Sequence, residues 1–456
     1  MRTYELNKAP GMPLYEALYR HLREDIQSGV LTAGEKLPSK RALAEHLKVS
    51  KVTVETAYQQ LLTEGYIYSK EKVGYFVEEG NLPAPNKRLL SPSKETQEEH
   101  LLDLTANGSA HFPFSVWSKL QRNVLLDYGT SLLKPIPHQG CPELRHAIAA
   151  HLSDFRGMQV SPDNIIIGAG TDFLYNLLIQ LLGRDKLYGV EEPGYHKIRK
   201  IYAAGGVECK GIPMDESGVL PEMLNNAQVL HISPSHHFPT GIVTTMLRRR
   251  QLLAWAERTG GYIIEDDYDS EFHSNAHPLL PLYAMDASER VIYMNTFSKS
   301  MAPSIRVSFM VLPDSLREEF HKRLDFYGCT VPSFEQYALA RFITSGHFEK
   351  HINRMRKFYR NRSQQVISAL ENCPWAPRMT ILEETSGLHF LVKVETQLSD
   401  AQLVSLCAKA GIRVNALSHY YHGAVPENQQ HCLLINYSGL DISQLPKLNN
   451  LQMEDL

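Results

Sequence analysis

The six cysteines (Cys141, Cys209, Cys329, Cys373, Cys407 and Cys432) are scattered and form no CxxC pair. A zinc site or a dithiol redox pair is therefore not indicated, and neither is a disulfide framework. The expected compartment is reducing and cytosolic. Charge of one sign is also lacking. With 47 Lys/Arg against 50 Asp/Glu, the net charge is −3, so nothing global demands nucleic acid or an acidic membrane. No apolar run approaches the roughly 18 residues of a membrane helix. The first residues, MRTYELNKAP, lack the apolar core of a signal peptide, so no membrane association is expected. Hydrophobic residues make up 43% of the 456 positions. That is ample for a sizeable core, divided among roughly two to four domains of about 100–200 residues each.

Near the N-terminus, Leu14, Leu18, Leu22 and Ile26 recur at every fourth position, which predicts a helix over 12–28 with one apolar stripe. Gly and Pro in SGVLTAGEKLP interrupt it. Ser39 is placed to cap a short helix containing Leu43, Ala44 and Leu47. After the tight turn KVS, Ser50 is placed to cap a third helix with Val54, Ala57, Tyr58, Leu61 and Leu62 on its buried face. Gly65 suits the left-handed end of that helix. YIYSKEKVGYFVEE then reads as two short strands around a turn with Lys70, Lys72 and Gly74. Two short helices and a hairpin describe a winged helix-turn-helix, whose second helix enters the DNA major groove. Lys51, Thr53 and Thr56 would face the groove, with Arg41 and Ser50 near the phosphates. Spacing alone leaves an ordinary helical hairpin with solvated Arg41 and Lys51 open. Residues 1–79 carry eleven basic and eleven acidic residues, while 36–51 is locally basic.

The stretch LPSKRALAEHLKVSKVTVETAYQQLLTEGYIYSKEKVGYFV resembles the DNA-binding domain of GntR-type transcription regulators, through its LPS-x-R, LA-x-x-L, VS-x-x-TV and AY-x-x-L elements and its wing glycine. The resemblance implies a DNA-binding domain over 1–79, with contacts from Arg41, Ser50, Lys51, Thr53 and the Gly74 wing. Lys51 stands where the family usually has arginine. The charge is kept, but bidentate guanine reading is not. Residues 80–100, rich in Pro, Ser and charge, read as a linker.

From residue 101 onward the pattern changes. NIIIG (164–168), KLYGV (186–190), VLHIS (229–233), GYIIEDD (261–267), VIYMN (291–295) and VSFMVL (307–312) look like buried strands. Apolar helices such as Phe173–Leu182 and Leu247–Arg258 lie between some of them. Such alternation predicts an α/β domain with a largely parallel sheet, and ligands gather at the C-terminal ends of such strands. That is where Gly168, Gly170 and Thr171, then Glu192, Pro193 and Tyr195, then SPSHHFPTG, EDDYDSEF and TFSKS fall.

Taken singly, each is ordinary: Asp266 or Lys299 alone reads as a solvated charge. Their order is what informs. A lysine after a strand, between hydroxyls, seven residues before an arginine and preceded by Asp-x-Tyr, suits pyridoxal 5'-phosphate. That cofactor needs an amine for a Schiff base, an acid to keep its ring nitrogen protonated, and a cationic, hydroxyl-rich phosphate cup. Lys299 would be the amine, Asp266 the acid and Tyr268 the partner of the ring hydroxyl. Arg306, Thr296, Ser298 and the Gly170–Thr171 backbone would hold phosphate, and Tyr195 would stack on the ring. His236 either makes a polar contact near the ring or is structural.

IIEDDYDSEF, NTFSKSMAPSIR, EEPGY and QGCPELRHAIAAHL resemble the aminotransferase-like fold of pyridoxal-phosphate enzymes, over nearly all of 101–456. A GntR-type domain ahead of this fold resembles the MocR/GabR regulators. The resemblance implies a winged helix-turn-helix followed by a large aminotransferase-like domain with a mostly parallel central sheet and a smaller C-terminal α/β subdomain. It also implies a cytosolic bacterial regulator that binds DNA near its own or a neighbouring promoter and senses a small-molecule effector. The expected assembly is a homodimer in which each DNA-binding domain packs against the other subunit's large domain.

Several positions depart from the aminotransferase pattern. Phe238 replaces the asparagine before P-T-G. Leu434 falls where an arginine clamps a substrate carboxylate, and leucine cannot do so. Lys197, Arg413 or His419 are the alternative cations. KPIPHQG lacks the tyrosine that makes an intersubunit phosphate contact. Asp172 stands beside the phosphate cup where glutamine is common, pointing either toward it or away. The basic segment HINRMRKFYRNR (351–362) is either a second DNA face or a helix burying Ile352, Met355 and Tyr359. These departures favour a regulator without sustained turnover. A working aminotransferase, or a cofactor-free DNA-binding protein, are the other readings. The second of these is opposed by the intact Lys299, Asp266, Tyr268 and Arg306.

Overall fold

The computed structural model describes residues 2–4, 6, 12–78, 101–106, 108, 111–272, 279–382 and 387–456. The expected linker, 80–100, lies outside them. The chain divides into two compact units, Met1–Gln97 and Glu98–Leu456.

The first unit has helices Leu14–Gln27, Lys40–Leu47 and Lys51–Thr63, and a hairpin Ile67–Lys70/Gly74–Val77. Both expected caps form. The Ser39 hydroxyl accepts the Ala42 N–H at 3.2 Å, and that of Ser50 accepts the Thr53 N–H at 3.1 Å, each satisfying a donor that a helix start leaves orphaned. Leu18, Leu22, Leu43, Val54, Ala57, Tyr58 and Leu61 fill the core, whereas Leu62, expected on the buried face, is only half-buried. The Tyr58 hydroxyl donates to the Pro38 carbonyl at 2.9 Å, and Lys40 pairs with Glu55 at 2.7 Å, joining the second and third helices. Gly74 has φ +137°, and a Cβ there would press on Lys36 Cε at 3.2 Å. The wing turn therefore needs glycine.

The second unit is built on an eight-stranded sheet, in the order Ile165–Gly168, Ser308–Val311, Val291–Thr296, Tyr262–Asp266, Val229–Ile232, Tyr188–Glu192, Cys209–Asp215 and Gly218–Val219. The pairings from Val291–Thr296 through to Cys209–Asp215 are parallel, and Ser308–Val311 runs antiparallel to both neighbours. All six expected apolar runs are strands of this sheet. They are buried on both faces, as parallel strands covered by helices must be. Cys209–Asp215 escaped the sequence pattern because it lies toward the sheet edge. Only Ile212 is buried there, so CKGIPMD carries no apolar run, and Pro213 is tolerated. A smaller antiparallel sheet follows, in the order Met379–Leu382, His389–Val394, Cys432–Asn436 and Asn415–Ala416.

The basic segment 351–362 belongs to the long helix His347–Glu371, which buries Ile352, Met355 and Tyr359. Arg356 Nε donates to the Glu271 carbonyl at 2.6 Å, and Arg362 Nη1 to that of Ser438 at 3.1 Å. These arginines act inside the domain, which favours the structural reading of the segment. No helix among the described residues is long and apolar enough to cross a membrane.

Candidate functional site

Loops at the C-terminal ends of neighbouring central strands lie side by side, placed there by the strand register. Asp266 pairs with Met294 in the parallel ladder, so the chain leaving Tyr262–Asp266 lies beside the chain that leaves Val291–Thr296 and carries Lys299. Thr296 caps the short turn Phe297–Ser300, accepting the Ser298 N–H at 3.1 Å. Its hydroxyl also receives the Ser308 O–H at 2.7 Å. Thr296 is thereby committed to shaping the lysine turn. Burial pulls the Lys299 amine below its ordinary pKa, and the Asp269 carboxylate opposes that shift.

The acidic run 265–271 is sorted by the alternation of the strand and the turn after it. Glu265, fully buried, receives the N–H groups of Leu282 and Tyr283 at 2.9 Å each. Asp267 forms a buried ion pair with Arg156 at 2.9 Å and accepts the Tyr293 hydroxyl at 2.7 Å. Asp269 holds His236 Nδ1 at 2.7 Å. Asp266 alone of these sits at the strand end with Tyr175 and His231. The Tyr175 hydroxyl donates to its Oδ2 at 2.5 Å, and His231 Nε2 lies 3.6 Å away, its other nitrogen 2.7 Å from the Tyr202 hydroxyl. Among the described residues, the buried Oδ1 of Asp266 has no hydrogen-bond partner. A buried carboxylate oxygen is costly in that state, and a protonated ring nitrogen is the kind of donor that would satisfy it.

The Tyr268 hydroxyl lies 3.4 Å from His236 Nδ1. Burial, with Asp269 and Asp266 adding to it, holds that phenol well above its ordinary pKa. The His236 ring stands 4.6 Å from that of His389 and 6.2 Å from that of Tyr268. Gly387 is required here, since a Cβ would overlap the His236 ring. Burial keeps His389 and His237 neutral, the latter pushed down to about 3.

Gly170 and Thr171, where a phosphate cup was expected, stand at the start of helix Thr171–Leu182, and the free N–H groups of a helix's first turn suit an anion. Gly170 has φ +90°, and a Cβ there would sit 2.6 Å from Cζ of Arg306. The guanidinium therefore lies directly over the backbone at this glycine. Arg306 itself adopts φ +50° to reach it. Ser298 and Thr171 are half-buried.

Tyr195 is 48% exposed, its ring edge-on to Phe238 at 5.7 Å. Leu434 is buried with Leu391, Leu417 and Tyr420, and Phe238 packs against the same cluster. Apolar side chains thus surround the position at which a carboxylate clamp was expected. Of the alternative cations, Arg413 is taken by Asp103 at 3.0 Å, and Lys197 by Asp172 at 2.6 Å. Asp172 points toward Arg306, its Oδ2 3.4 Å from Nη2. The sequence reading missed Tyr175, His231 and Asp269. Tyr175 had a signal, since it lies one helical turn beyond Thr171 on the same face. His231 and Asp269 had none of their own.

In the DNA-binding unit, Arg41, Lys51 and Thr56 are exposed. Arg41 pairs with its helix neighbour Glu45 at 3.0 Å, with 85% of its side chain in solvent. The Ser50 hydroxyl lies 2.8 Å from that of Thr53.

Comparison with known proteins agrees with this geometry. Residues 14–77 match the bacterial regulatory proteins of the gntR family, and residues 99–449 match aminotransferase class I and II. The chain is 39% identical to the HTH-type transcriptional regulator YdeL of Bacillus subtilis, covering 91% of this chain and 92% of that one. It is 33% identical to the pyridoxine biosynthesis regulator PdxR of Corynebacterium glutamicum (90% and 89%), and 30% identical to the probable rhizopine catabolism regulatory protein MocR of Rhizobium meliloti (96% and 92%). In fold, it resembles an archaeal alanine:glyoxylate aminotransferase with a TM-score of 0.70 at 23% identity, over 79% of this chain and 92% of that one. The chain belongs to the MocR/GabR-type regulators, pyridoxal-phosphate-dependent DNA-binding proteins that join a GntR winged helix-turn-helix to an aminotransferase class I and II domain.

Proposed function

We propose that the large domain is a receptor whose ligand state controls DNA binding by the N-terminal domain, with no sustained catalytic turnover. Lys299 anchors pyridoxal phosphate, Asp266 receives its ring nitrogen, Tyr268 and His236 meet its ring hydroxyl, and Tyr195 covers its face. Arg306, Ser298 and the Gly170–Thr171 backbone hold the phosphate, and Thr296 keeps the lysine turn in shape. When bound, the cofactor supplies an electrophilic carbon for amines. The protein's part is to present a lysine whose amine burial makes easier to deprotonate, hold a proton at the ring nitrogen through Asp266, and bind the phosphate.

The observation that carries the reading is Leu434. An aminotransferase needs a guanidinium or an equivalent to orient two substrates by their carboxylates. Here a buried leucine packs among apolar side chains at that position. The signal is therefore a small amine, an amino acid held otherwise, or pyridoxal phosphate itself. Arg41, Ser50, Lys51, Thr53 and the Gly74 wing contact DNA. The domains are 1–79, a linker over 80–100, and 101–456, in a cytoplasmic homodimer. Phe114, Leu126, Leu133 and Phe326 of the large domain, each more than 70% exposed, are apolar side chains that a second copy would cover.

The test is binding to the protein's own upstream DNA, with and without pyridoxal phosphate, then with a panel of amines and amino acids. A ligand-dependent change in affinity or footprint is expected. Steady multi-turnover conversion of an amino acid and a keto acid would overturn the receptor reading in favour of an active aminotransferase.

A further inference from the structure

Asp172 has no role in the reading above, yet it lies at its centre. It is in the first turn of helix Thr171–Leu182, beside the phosphate cup. Its Oδ2 is shared by two cations, Lys197 Nζ at 2.6 Å and Arg306 Nη2 at 3.4 Å. The same Nη2 also donates to the Ala169 carbonyl at 3.3 Å. Gly170 leaves room for the guanidinium directly above the backbone. Arg306, proposed to clamp the phosphate, thus already faces an anion supplied by the protein. These side chains are partly solvated, at 35% exposure for Asp172, 49% for Arg306 and 47% for Lys197. Their pairing is weak enough to rearrange.

We propose that Asp172 is a built-in competitor for the phosphate group of the ligand: its carboxylate holds Arg306 and Lys197, and it must yield Arg306 when a phosphate monoester binds. This rests on the reading that the cup takes pyridoxal phosphate. A phosphate monoester carries about −1.5 to −2 charges at neutral pH, so the carboxylate both occupies its clamp and repels it. The consequence is an affinity lower than an enzyme with an uncharged residue here would have. Site occupancy can then follow the free concentration of the phosphorylated ligand, as a sensor requires and a permanently loaded enzyme does not. Lys197 keeps Asp172 from leaving the cup altogether, and is a positioning residue.

The test uses the full-length protein freed of cofactor and titrated with pyridoxal phosphate by near-visible absorbance. Pyridoxal, which lacks the phosphate, is titrated in parallel. Asp172→Asn keeps the shape and removes the charge. It is expected to bind pyridoxal phosphate about tenfold more tightly and pyridoxal unchanged, and to be inhibited by lower inorganic phosphate. Asp172→Ser, without an amide, should behave alike, and a thermal melt confirms that both are folded. Unchanged or weaker pyridoxal phosphate binding in both variants overturns the proposal, as does equal tightening toward both aldehydes. If the wild type binds neither aldehyde, and Lys299→Ala leaves its spectrum unaltered, then the cofactor assignment itself has failed. A wild type that binds, with variants that do not differ from it, sinks the competitor role alone.

Discussion

Replacing Gly170 by alanine probes the phosphate cup where the geometry is most exacting. Two costs can be separated. The backbone at Gly170 has φ +90° and ψ 161°, a region essentially reserved for glycine, where an L-residue costs about 1–3 kcal/mol. The added Cβ would also stand 2.6 Å from Cζ of Arg306. The guanidinium is the far end of a flexible side chain with 49% exposure, so it swings away and the overlap adds little to the folding cost. What it loses is its place over the cup. A hydrogen bond involving a charged group contributes about 1.5–3 kcal/mol, which converts to about 10- to 150-fold in affinity for a phosphorylated ligand. Denaturant unfolding of the cofactor-free protein measures the first cost. Parallel absorbance titrations with pyridoxal phosphate and pyridoxal measure the second. Gly170→Ala should be modestly less stable and bind pyridoxal phosphate much more weakly, with pyridoxal little affected. A variant that binds pyridoxal phosphate as tightly as the wild type, or loses both aldehydes equally, would refute the assignment of this turn and Arg306 to the phosphate.

Three further outcomes are expected. Lys299→Ala should abolish the near-visible absorbance of the cofactor-bound protein, and a colourless wild type saturated with pyridoxal phosphate would remove the cofactor anchor. Arg41→Ala and Lys51→Ala should each weaken binding to the upstream DNA and lower the slope of log affinity against log salt by about one; an unchanged slope would take these residues off the phosphates. Acidification should destabilise the large domain through its neutral histidines. Burial holds His151 at about 4, His237 at about 3 and His389 well below its ordinary value. The unfolded chain takes up these protons near pH 6.5 while the native state does not, so the stability is full above about pH 7 and is lost as the pH falls toward the native values. A fully buried histidine such as His237 accounts for about 2 kcal/mol at pH 5. Denaturant midpoints at pH 7.5 and pH 5, with His237→Gln as comparison, check this. A variant that loses as much stability as the wild type on acidification would contradict it.

The sequence by itself determined most of the elements and named candidate residues for the chemistry. Strands buried on both faces must be apolar throughout, so the six runs stood out. Helix starts need caps, so Ser39 and Ser50 could be placed, and Lys299 and Arg306 within TFSKSMAPSIR could be named together as candidates because only seven positions separate them. The strand Cys209–Asp215 was not legible, because a half-exposed strand carries no apolar signature. Only the tertiary structure decided how the acids of EDDYDSEF divide their work. Neighbours in sequence point to different surroundings, and only the packing of helices, strands and loops distant in sequence shows that Asp267 belongs to Arg156, Asp269 to His236 and Asp266 to Tyr175 and His231. It also decided the direction of Asp172. Any rotamer of a first-turn aspartate suits a helix start, and the choice is made by Lys197 and Arg306, brought from 25 and 134 positions away.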